Sequence, residues 1–462
     1  MEIVLKPFKL GNQYYVYDRN TNKILAVPKQ DYEALCSNQS STEKNAVLKK
    51  YQSKGFFLEN RLTEIKHPAN DFLTQFEEEN VTQLILQVTQ DCNLRCSYCY
   101  YVNESYRNRH HAKLNMSVDT ARKAMDYLLS HSVGKDNITL GFYGGEPLLR
   151  MDLLKYCIEY MESQVQDRHI LFTLTTNGTL LTDDIIEYFI AHNVALFISL
   201  DGTKETHDRN RKFVNGHGSF DIVMRNVAHI KERCLEYFKT IYFNTVISPE
   251  MDMKCVRDYY SADEVLSTAN FTSSTIQEFY TDDPPQYDDR LYIDSQYGEF
   301  KALLICAGRL SAKDMPFIYQ GDISDIRKLQ ENLHTDFLLP SAYHHGGPCI
   351  AGSRRLFVDV AGNFYPCERV SESSETMKIG SLEEGLNLEK VLNLINVGKI
   401  TENECKRCWA LVHCRICAAC ADNLTGLDKS KKLQACPLYK SGVLHRFKNV
   451  CALSQFTHHK IK

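Results

Sequence analysis

The sequence predicts an α/β protein whose central region is a parallel sheet flanked by helices. Three observations lead to this fold class. Strand-like and helix-like stretches alternate from Val81 to about Tyr280, as they do when parallel strands are joined by crossover helices. The first eighty residues have a different pattern of short strands and helices, and closely spaced cysteines are concentrated after residue 345. We therefore expect a small amino-terminal module and a cysteine-rich carboxy-terminal segment beside the α/β core.

Length and composition bound the class of protein. At 462 residues, 43% of them hydrophobic, the chain is long enough for about three domains with ordinary cores. A formal net charge of −4 favours neither a nucleic-acid nor a membrane partner. No apolar run approaches the roughly eighteen residues that cross a bilayer, and the first residues lack a signal-peptide pattern. The seventeen cysteines are too sparse for a disulfide-stapled domain, so a reducing, cytoplasmic location is expected.

The amino-terminal module begins with a predicted hairpin. Strand-like runs at Tyr14–Asp18 and Lys23–Val27 are joined by the turn-forming residues Arg19–Asn22, and helix-like stretches follow at Pro28–Leu35 and Thr42–Tyr51. The pattern predicts a winged-helix-like fold and resembles the RiPP recognition element of enzymes that modify ribosomally made peptides. That resemblance implies that a leader peptide adds as a strand beside the third strand. A purely structural appendage is the alternative.

The central region contains five predicted strands and four predicted helices. A helix cap is expected at Ser219 in the segment Gly216–Ser219. The strands are Gln83–Val88, Ile138–Tyr143, Ile170–Leu174, Val194–Leu200 and Ile241–Val246. The helices are Ser117–Leu129, Met151–Gln164, Asp183–His192 and Phe220–Lys239.

Three cysteines follow the first of these strands. Cys92, Cys96 and Cys99 lie within eight residues, so their thiolates can close around one cubane iron–sulfur cluster. Because such clusters usually have four cysteine ligands, one iron would lack a protein ligand and would be open to a substrate. Half of a zinc site is the alternative, since zinc also takes thiolates at two-residue spacings.

A second motif, Gly144-Gly145-Glu146-Pro147, follows a predicted strand. Paired glycines let the backbone approach a ligand closely, and a glutamate accepts hydrogen bonds from a cationic amine. With this motif and the three-cysteine spacing, the chain resembles the radical S-adenosylmethionine (radical SAM) superfamily. The resemblance implies a partial (β/α)6 TIM barrel, a 4Fe-4S cluster on the three cysteines, and S-adenosylmethionine chelating the open iron. It also implies that one electron from the cluster cleaves the cofactor to a 5′-deoxyadenosyl radical.

Further residues fall where that superfamily places cofactor contacts. Thr175 and Asn177 follow one predicted strand, and Ser199 and Asp201 follow the next. The resemblance implies that these groups bind the ribose hydroxyls and the methionine end of the cofactor, and that Arg211 clamps its carboxylate. Each segment taken alone is more typical of a turn.

The carboxy-terminal cysteines form an ordered series that resembles the SPASM extension of radical SAM enzymes. The resemblance implies two auxiliary 4Fe-4S clusters, and hence three clusters in the chain. It assigns Cys405, Cys408, Cys414 and Cys436 to an outer cluster, and Cys349 and Cys367 with Cys417 or Cys420 to a nearer one.

The spacing departs from that extension after Cys414. The usual gap there is three residues, whereas gaps of two and two precede Cys417 and Cys420. If only one of the two binds, the nearer cluster has a free iron that could hold a substrate thiolate. A zinc ribbon is the alternative for this array. The other cysteines are expected to be small buried hydrophobes: Cys36, Cys157, Cys234, Cys255, Cys306 and Cys451.

Glu368 follows Cys367 where the sulfatase-maturing relatives carry an aspartate thought to act as a base. A glutamate at this place can also take a proton. An exposed glutamate on a turn is the structural alternative.

These features predict a radical SAM maturase that binds a ribosomally made precursor peptide and joins cysteine sulfur to carbon in a thioether. A flavodoxin or ferredoxin would supply electrons. Formylglycine formation and carbon–carbon crosslinking are the enzymatic alternatives, and a zinc-stabilised peptide-binding scaffold is the non-enzymatic one. The expected domains are the recognition element (1–80), the radical SAM core (81–280), a bridge without a readable signature (281–345) and the SPASM domain (346–462).

Overall fold

The computed structural model describes residues 2–37, 41–101, 108–276, 278–311 and 320–456. A three-stranded antiparallel sheet begins the chain, and two helices follow it. The hairpin of the second and third strands and both helices confirm the sequence prediction, and the first strand is additional. The elements are β1 (Leu5–Leu10), β2 (Gln13–Asp18), β3 (Lys23–Ala26), α1 (Lys29–Cys36) and α2 (Thr42–Gln52).

Six parallel strands form the central half-barrel, which lies after the short helix α3 (Leu73–Glu79). They lie side by side in chain order, with the last strand at one edge of the sheet. The predicted α/β fold with a parallel sheet is therefore confirmed, and its sixth strand is one that the sequence pattern did not identify. The strands are β4 (Gln83–Thr89), β5 (Asn137–Gly144), β6 (His169–Thr176), β7 (Ala195–Ser199), β8 (Tyr242–Ile247) and β9 (Asn270–Thr275).

The crossover helices cover the outer face of this sheet. They are α4 (Val118–Ser130), α5 (Met151–Gln164), α6 (Asp183–Ala191), α7 (Lys204–Asn210), α8 (Phe220–Arg233), α9 (Leu235–Phe238) and α10 (Met253–Ala262). The prediction of one helix over Phe220–Lys239 is wrong. The chain leaves the helix at Cys234, whose φ of −149° and ψ of 87° lie outside the helical region.

Side chains alternate between the two faces of the half-barrel. Leu174 on β6 and Ile198 on β7 are buried in a core shared with the helices. The next residues along each strand, Thr175 and Ser199, are only half-buried. Because successive strand residues point to opposite faces, Thr175 and Ser199 lie on the concave face, where the predicted site would be.

The carboxy-terminal segment extends the same sheet. Strand β10 pairs in parallel with β4, and three short antiparallel strands follow it. The described residues of the region 281–345 form two helices before this point. These elements are α11 (Asp289–Cys306), α12 (Gln320–His334), β10 (Arg355–Val358), β11 (Asn363–Tyr365), β12 (Gly380–Ser381), β13 (Gly385–Leu386), α13 (Leu388–Ile395), α14 (Glu402–Lys406) and α15 (Lys429–Phe456).

The amino-terminal sheet is buried on both faces. One face packs on α1 and α2 through residues such as Val16 and Leu25. The other, with Tyr17 and Ile24, packs on α12 and α15. The module is thus joined to the carboxy-terminal segment through an apolar core. Among the described helices, none is long and apolar enough to cross a membrane.

Buried histidines link the stability of the fold to pH. Burial lowers the pKa of His344 to about 4. Its ring donates from Nδ1 to the carbonyl oxygen of His345 at 2.8 Å and accepts at Nε2 from the Gly398 N–H at 2.8 Å. A proton on Nε2 would break the second hydrogen bond, so the folded state holds this ring neutral.

We predict that part of the loss of stability in acid comes from His344. An unfolded histidine titrates near 6.5, above the folded pKa. Stability is therefore lost as the pH falls from about 6.5 to about 4, by at most about 1.4 kcal/mol per pH unit for this ring. The variant His344→Asn has no titrating group at this position. Its free energy of unfolding in urea should be lower than that of the parent at pH 7, and this difference should be smaller at pH 5. Parallel stability curves would contradict the prediction.

Candidate functional site

The loop after β4 brings three predicted ligands together. Cys92, Cys96 and Cys99 are half-buried and close enough to influence one another's ionisation. Burial raises the pKa of Cys92 and of Cys96 to about 12. Because the thiolate is the form that binds metal, a bound cation is needed to hold these sulfurs deprotonated. Three such thiols on one loop fit an iron–sulfur cluster.

Backbone hydrogen bonds fix this loop to the segment after α7. The Arg95 N–H donates to the Lys212 carbonyl at 2.7 Å, and the Ser97 N–H donates to the Asn210 carbonyl at 3.1 Å. The Ser97 hydroxyl also donates to Asn210 Oδ1 at 2.6 Å. The loop is therefore held from two sides, which limits the positions that the cysteine sulfurs can take.

The paired glycines bring the end of β5 against the cluster loop. A Cβ on Gly144 would lie 2.1 Å from the Thr89 carbonyl oxygen, and one on Gly145 would lie 2.1 Å from that of Asp91. Gly144 also has a φ of +144°. The Gly145 and Glu146 N–H groups donate to these same two carbonyls at 2.9 and 2.8 Å. The sequence predicted that these glycines let the backbone approach a ligand. In the structure they let it approach the backbone of Thr89 and Asp91.

Glu146 is a buried carboxylate whose hydrogen-bond donors are neutral. It accepts from the Thr176 hydroxyl at 2.7 Å, from the Asn177 N–H at 2.7 Å and from the Leu148 N–H at 3.1 Å. Burial raises its pKa to about 7. The Asn177 side-chain amide also donates to Cys92 Sγ at 3.8 Å. A cationic amine beside the cluster would complete this site, and Pro147 directs the chain into a short 3-10 helix behind it.

Arg211 and Asp201 form a buried ion pair with each other. Arg211 Nε lies 2.7 Å from Asp201 Oδ2, and Nη2 lies 3.4 Å from Oδ1. The Tyr98 hydroxyl also donates to Asp201, and burial raises the pKa of Tyr98. The expected carboxylate clamp is thus already paired within the chain. The sequence analysis did not predict the Arg211–Asp201 ion pair. The aromatic Tyr98 between Cys96 and Cys99, which donates to Asp201, was a signal of it.

Ser219 supports Arg211 instead of capping its own helix. Its hydroxyl donates to the Arg211 carbonyl at 2.9 Å and lies 2.9 Å from His207 Nε2. The first N–H of α8, that of Phe220, donates instead to Asp208 Oδ1 at 2.8 Å. Ser219 stands at the N-cap position without a side-chain cap bond, so the predicted capping role is wrong.

A second set of thiols contains Cys349, Cys367 and Cys417. Burial raises the pKa of Cys417 to about 12, and Cys349, Cys367 and Cys420 raise it further because they lie nearby. Cys420 differs from the others because its sulfur lies 3.3 Å from the Tyr439 hydroxyl on α15.

A third set contains the four cysteines that the sequence assigned to an outer cluster. Burial raises the pKa of Cys408 and of Cys414, and other members of the set lie close to each of them. Lys432 is buried, and its Nζ lies 3.6 Å from Cys405 Sγ and 2.6 Å from the Thr401 hydroxyl. A buried cation beside these sulfurs fits an anionic cluster. The set is Cys405, Cys408, Cys414 and Cys436.

The thiols do not converge as the ligands of one ion do. Within the described residues, no three histidine, cysteine, aspartate or glutamate side chains surround a point that a single metal ion could occupy. A tetrahedral zinc site has such a point, whereas a cubane spreads its ligands over four irons.

Glu368 lies on a turn beside the second set of thiols. Its carboxylate pairs with Arg355 Nη1 at 3.2 Å, and its side chain is 15% exposed. Arg355 Nε in turn donates to Gln83 on β4 at 3.1 Å. The glutamate is thus largely buried and paired. Of the cysteines set aside from the chemistry, Cys157 and Cys451 are buried as expected, whereas Cys36 and Cys255 are exposed.

Comparison with known proteins identifies the half-barrel. Residues 86–261 match the profile of the Radical SAM superfamily. The chain therefore contains a radical SAM domain. This domain is the part of the molecule that holds the three-cysteine loop and the Gly144–Pro147 motif.

Curated relatives include a sulfatase-maturating enzyme and a cyclopropyl synthase. A cysteine-type anaerobic sulfatase-maturating enzyme of Clostridium novyi (strain NT) is 31% identical over 34% of this chain and 42% of its own length. The chain spans less than half the length of this relative. The radical SAM cyclopropyl synthase TigE of Paramaledivibacter caminithermalis is 23% identical over 89% of this chain and 84% of its own length.

A solved structure has the same fold. Native anSMEcpe with bound AdoMet matches with a TM-score of 0.54 and 18% identity, covering 82% of this chain and 99% of that chain. The likeness extends beyond the half-barrel, because the matched portion is much longer than residues 86–261.

We predict that Gly145→Ala disables the three-cysteine site. The added Cβ would meet the Asp91 carbonyl at 2.1 Å and displace the loop, and a shift of about 1 Å in such a site costs about 100-fold in rate. Formation of 5′-deoxyadenosine from S-adenosylmethionine under a strong reductant should fall by that order. The matched control is Gly442→Ala, because a Cβ there meets nothing within 4 Å. Equal activity of the two variants would contradict the prediction.

Proposed function

We propose that this chain is a radical SAM maturase that modifies a ribosomally made, cysteine-containing peptide by forming thioether bonds. The observation that carries the proposal is the presence of three separate sets of neighbouring thiols in a chain that contains a radical SAM domain. The first set lies at the mouth of the half-barrel beside Glu146, and the other two lie in the carboxy-terminal segment. When bound, a reduced 4Fe-4S cluster with S-adenosylmethionine supplies a 5′-deoxyadenosyl radical that abstracts hydrogen.

The chain's own residues bind and orient the cofactor in this proposal. Glu146 accepts hydrogen bonds from the cofactor amine, since its present donors are neutral and it is buried. Thr175, Asn177 and Ser199 contact the ribose and methionine groups from the strand ends. Arg211 reaches the cofactor carboxylate while it keeps its bond to Asp201, because a guanidinium has five N–H donors.

A peptide substrate is supported by the relatives and by the amino-terminal module. The curated relatives are named for sulfatase maturation and cyclopropyl synthesis, and one fold neighbour was solved with a peptide named Cp18Cys. Among the strands that the structure describes, β3 is at the edge of its sheet and pairs only with β2. An edge strand offers unpaired N–H and C=O groups to an added strand. We assign residues 1–80 to leader binding on this basis.

The second and third thiol sets are assigned to auxiliary clusters of a SPASM domain over residues 346–462. Cys417 is the third ligand of the nearer cluster, because its thiol lies with those of Cys349 and Cys367. Cys420 instead contacts Tyr439 on α15. Three protein ligands leave one iron to coordinate the thiolate of a substrate cysteine.

Glu368 is assigned a smaller role. Its carboxylate is paired with Arg355 and lies beside Cys367. Glu368 can therefore act as a base only if a substrate displaces the arginine. Electrons reach the clusters from a flavodoxin or ferredoxin. The region 281–345 bridges the two cluster-bearing domains.

Carbon–carbon bond formation is the second candidate function. The alignment with the cyclopropyl synthase covers most of both chains, and a cyclopropyl group is made by joining carbon to carbon. The two functions leave different products on the peptide, since only a thioether consumes a cysteine thiol.

We predict that the reconstituted protein binds about twelve irons per chain and crosslinks a cysteine-containing precursor. Mass spectrometry should find two hydrogens lost for each bond, with the thiols then protected from alkylation. A loss of two hydrogens with free thiols would favour carbon–carbon bonds. Zinc without iron, or no 5′-deoxyadenosine, would contradict the enzymatic proposal. The control is the variant in which Cys92, Cys96 and Cys99 are all alanine.

We predict different effects for Cys417→Ala and Cys420→Ala. Loss of Cys417 removes a ligand, so the nearer cluster should be lost and the iron content should fall by about four. Loss of Cys420 should leave the iron content unchanged. Iron analysis and electron paramagnetic resonance measure the iron content of both variants. The control is Cys255→Ser, because Cys255 is exposed. The reverse pattern would assign Cys420 as the ligand.

A further inference from the structure

The turn between β2 and β3 is buried, although it is made of polar residues. Arg19 is inaccessible to solvent, and Asn20, Thr21 and Asn22 are at most 9% exposed. Turns of this composition usually lie on the surface, where water satisfies their polar groups. This turn must find its hydrogen-bond partners within the protein.

Arg19 finds its partners on the segment between two predicted cluster ligands. Its Nη1 donates to the Lys406 carbonyl at 2.7 Å and to the Cys408 carbonyl at 3.2 Å. Its Nη2 donates to Asn60 Oδ1, and the Asn60 side-chain amide donates to the Lys406 carbonyl at 3.1 Å. The guanidinium thus holds the backbone on both sides of residue 407.

The other end of the turn reaches the next ligand. Asn22 Oδ1 accepts from the Tyr17 hydroxyl at 2.9 Å and lies 2.6 Å from His413 Nε2. Because an amide oxygen only accepts, the His413 ring donates from Nε2. His413 directly precedes Cys414. One hairpin turn therefore contacts the ligand segment near Cys408 and again beside Cys414.

The charge of Arg19 lacks a bonded counter-ion. Its hydrogen-bond acceptors are neutral oxygens, and its Nε is buried without a partner. The adjacent carboxylate of Asp18 accepts hydrogen bonds from the Asn20 N–H at 3.0 Å and from the Thr21 hydroxyl at 2.8 Å. A buried charge is costly unless an opposite charge lies nearby. The groups that interact electrostatically with Arg19 include the Cys408 thiol, which belongs to the third set, and the carboxylates of Asp18 and Glu2.

We infer that Arg19 is a positioning residue for the outer cluster, holding its ligand segment and supplying a positive charge that raises its reduction potential. The inference rests on the proposed assignment of a cluster to Cys405, Cys408, Cys414 and Cys436. Four thiolates make such a cluster anionic, and its potential depends on net charge and burial. The amino-terminal module would then tune a redox centre in addition to binding a peptide.

The test compares variants in the protein that lacks the first cluster. With Cys92, Cys96 and Cys99 replaced by alanine, the auxiliary clusters can be titrated by electron paramagnetic resonance without overlap from the first. Arg19→Met removes the charge and keeps much of the volume. Arg19→Lys keeps the charge but cannot bridge two carbonyls and Asn60. The matched control is Arg407→Met, since Arg407 lies in the same segment and is 76% exposed.

Arg19→Met should lower the midpoint potential of one auxiliary cluster and speed iron loss to a chelator. Arg19→Lys should keep the potential near that of the parent and still speed iron loss, whereas Arg407→Met should change neither. An unchanged potential in Arg19→Met, or equal shifts in Arg19→Met and Arg407→Met, would overturn the inference. If Arg19→Met does not fold, unchanged iron release in Arg19→Lys overturns it. A parent protein without auxiliary iron would instead overturn the cluster assignment itself.

Discussion

The structure depends on β4, which pairs in parallel with β5 on one side and with β10 on the other. This pairing makes one sheet of the half-barrel and the carboxy-terminal strands. Gln87 in the middle of β4 is buried, and its amide donates to the Tyr101 hydroxyl at 2.8 Å and to Glu372 at 2.5 Å. Its oxygen accepts from the Val360 N–H at 3.1 Å. One side chain thus connects the cluster loop to the segment that follows β10.

The residues around Glu372 show how tightly these parts are joined. Arg109 is fully buried and lies 2.5 Å from the Glu372 carboxylate. Its guanidinium also lies 4.8 Å from the centroid of the Phe357 ring on β10 and 5.2 Å from that of Tyr100. Breaking a buried pair of this kind leaves an uncompensated charge, which costs about 3–5 kcal/mol. The cluster loop and the carboxy-terminal segment therefore share one polar core, so a displacement of either will displace the other.

The sequence was most informative where periodicity was strong. Five strands and the helices α4, α5, α6 and α8 could be predicted because buried residues recur every second position or along one helix face. The strand Asn270–Thr275 was missed, since its residues are mainly small and polar and only one of them is buried. Motif spacing also predicted the three-cysteine loop. It could not predict what the glycines approach, because Thr89 and Asp91 meet Gly144 and Gly145 only in the folded chain.

Long-range polar contacts explain the remaining differences. The pairing of Arg211 with Asp201 joins the connection between α7 and α8 to the connection between β7 and α7. The contact of Cys420 with Tyr439, which lies nineteen residues further along the chain, likewise could not be predicted from the cysteine spacing. The turn Arg19–Asn22 was predicted as part of a hairpin, but its burial was not predicted. Burial follows only because Lys406 and His413, almost 400 residues later, supply the hydrogen-bond partners that solvent would have provided.

These long-range contacts have one feature in common, which is that they place charged groups in the interior. In the chain alone, burial raises the pKa of the thiols and leaves them neutral, while Lys432 and Arg19 are buried cations bonded to neutral groups or to sulfur. An anionic group among the thiols would add a counter-charge for both cations, beside the Asp18 and Glu2 carboxylates that interact with Arg19. Metal binding would deprotonate the cysteines and supply that group at once. The amino-terminal hairpin, the carboxy-terminal helix and the ligand segment would then be stabilised together, so that cluster binding and the assembly of these three parts are one process.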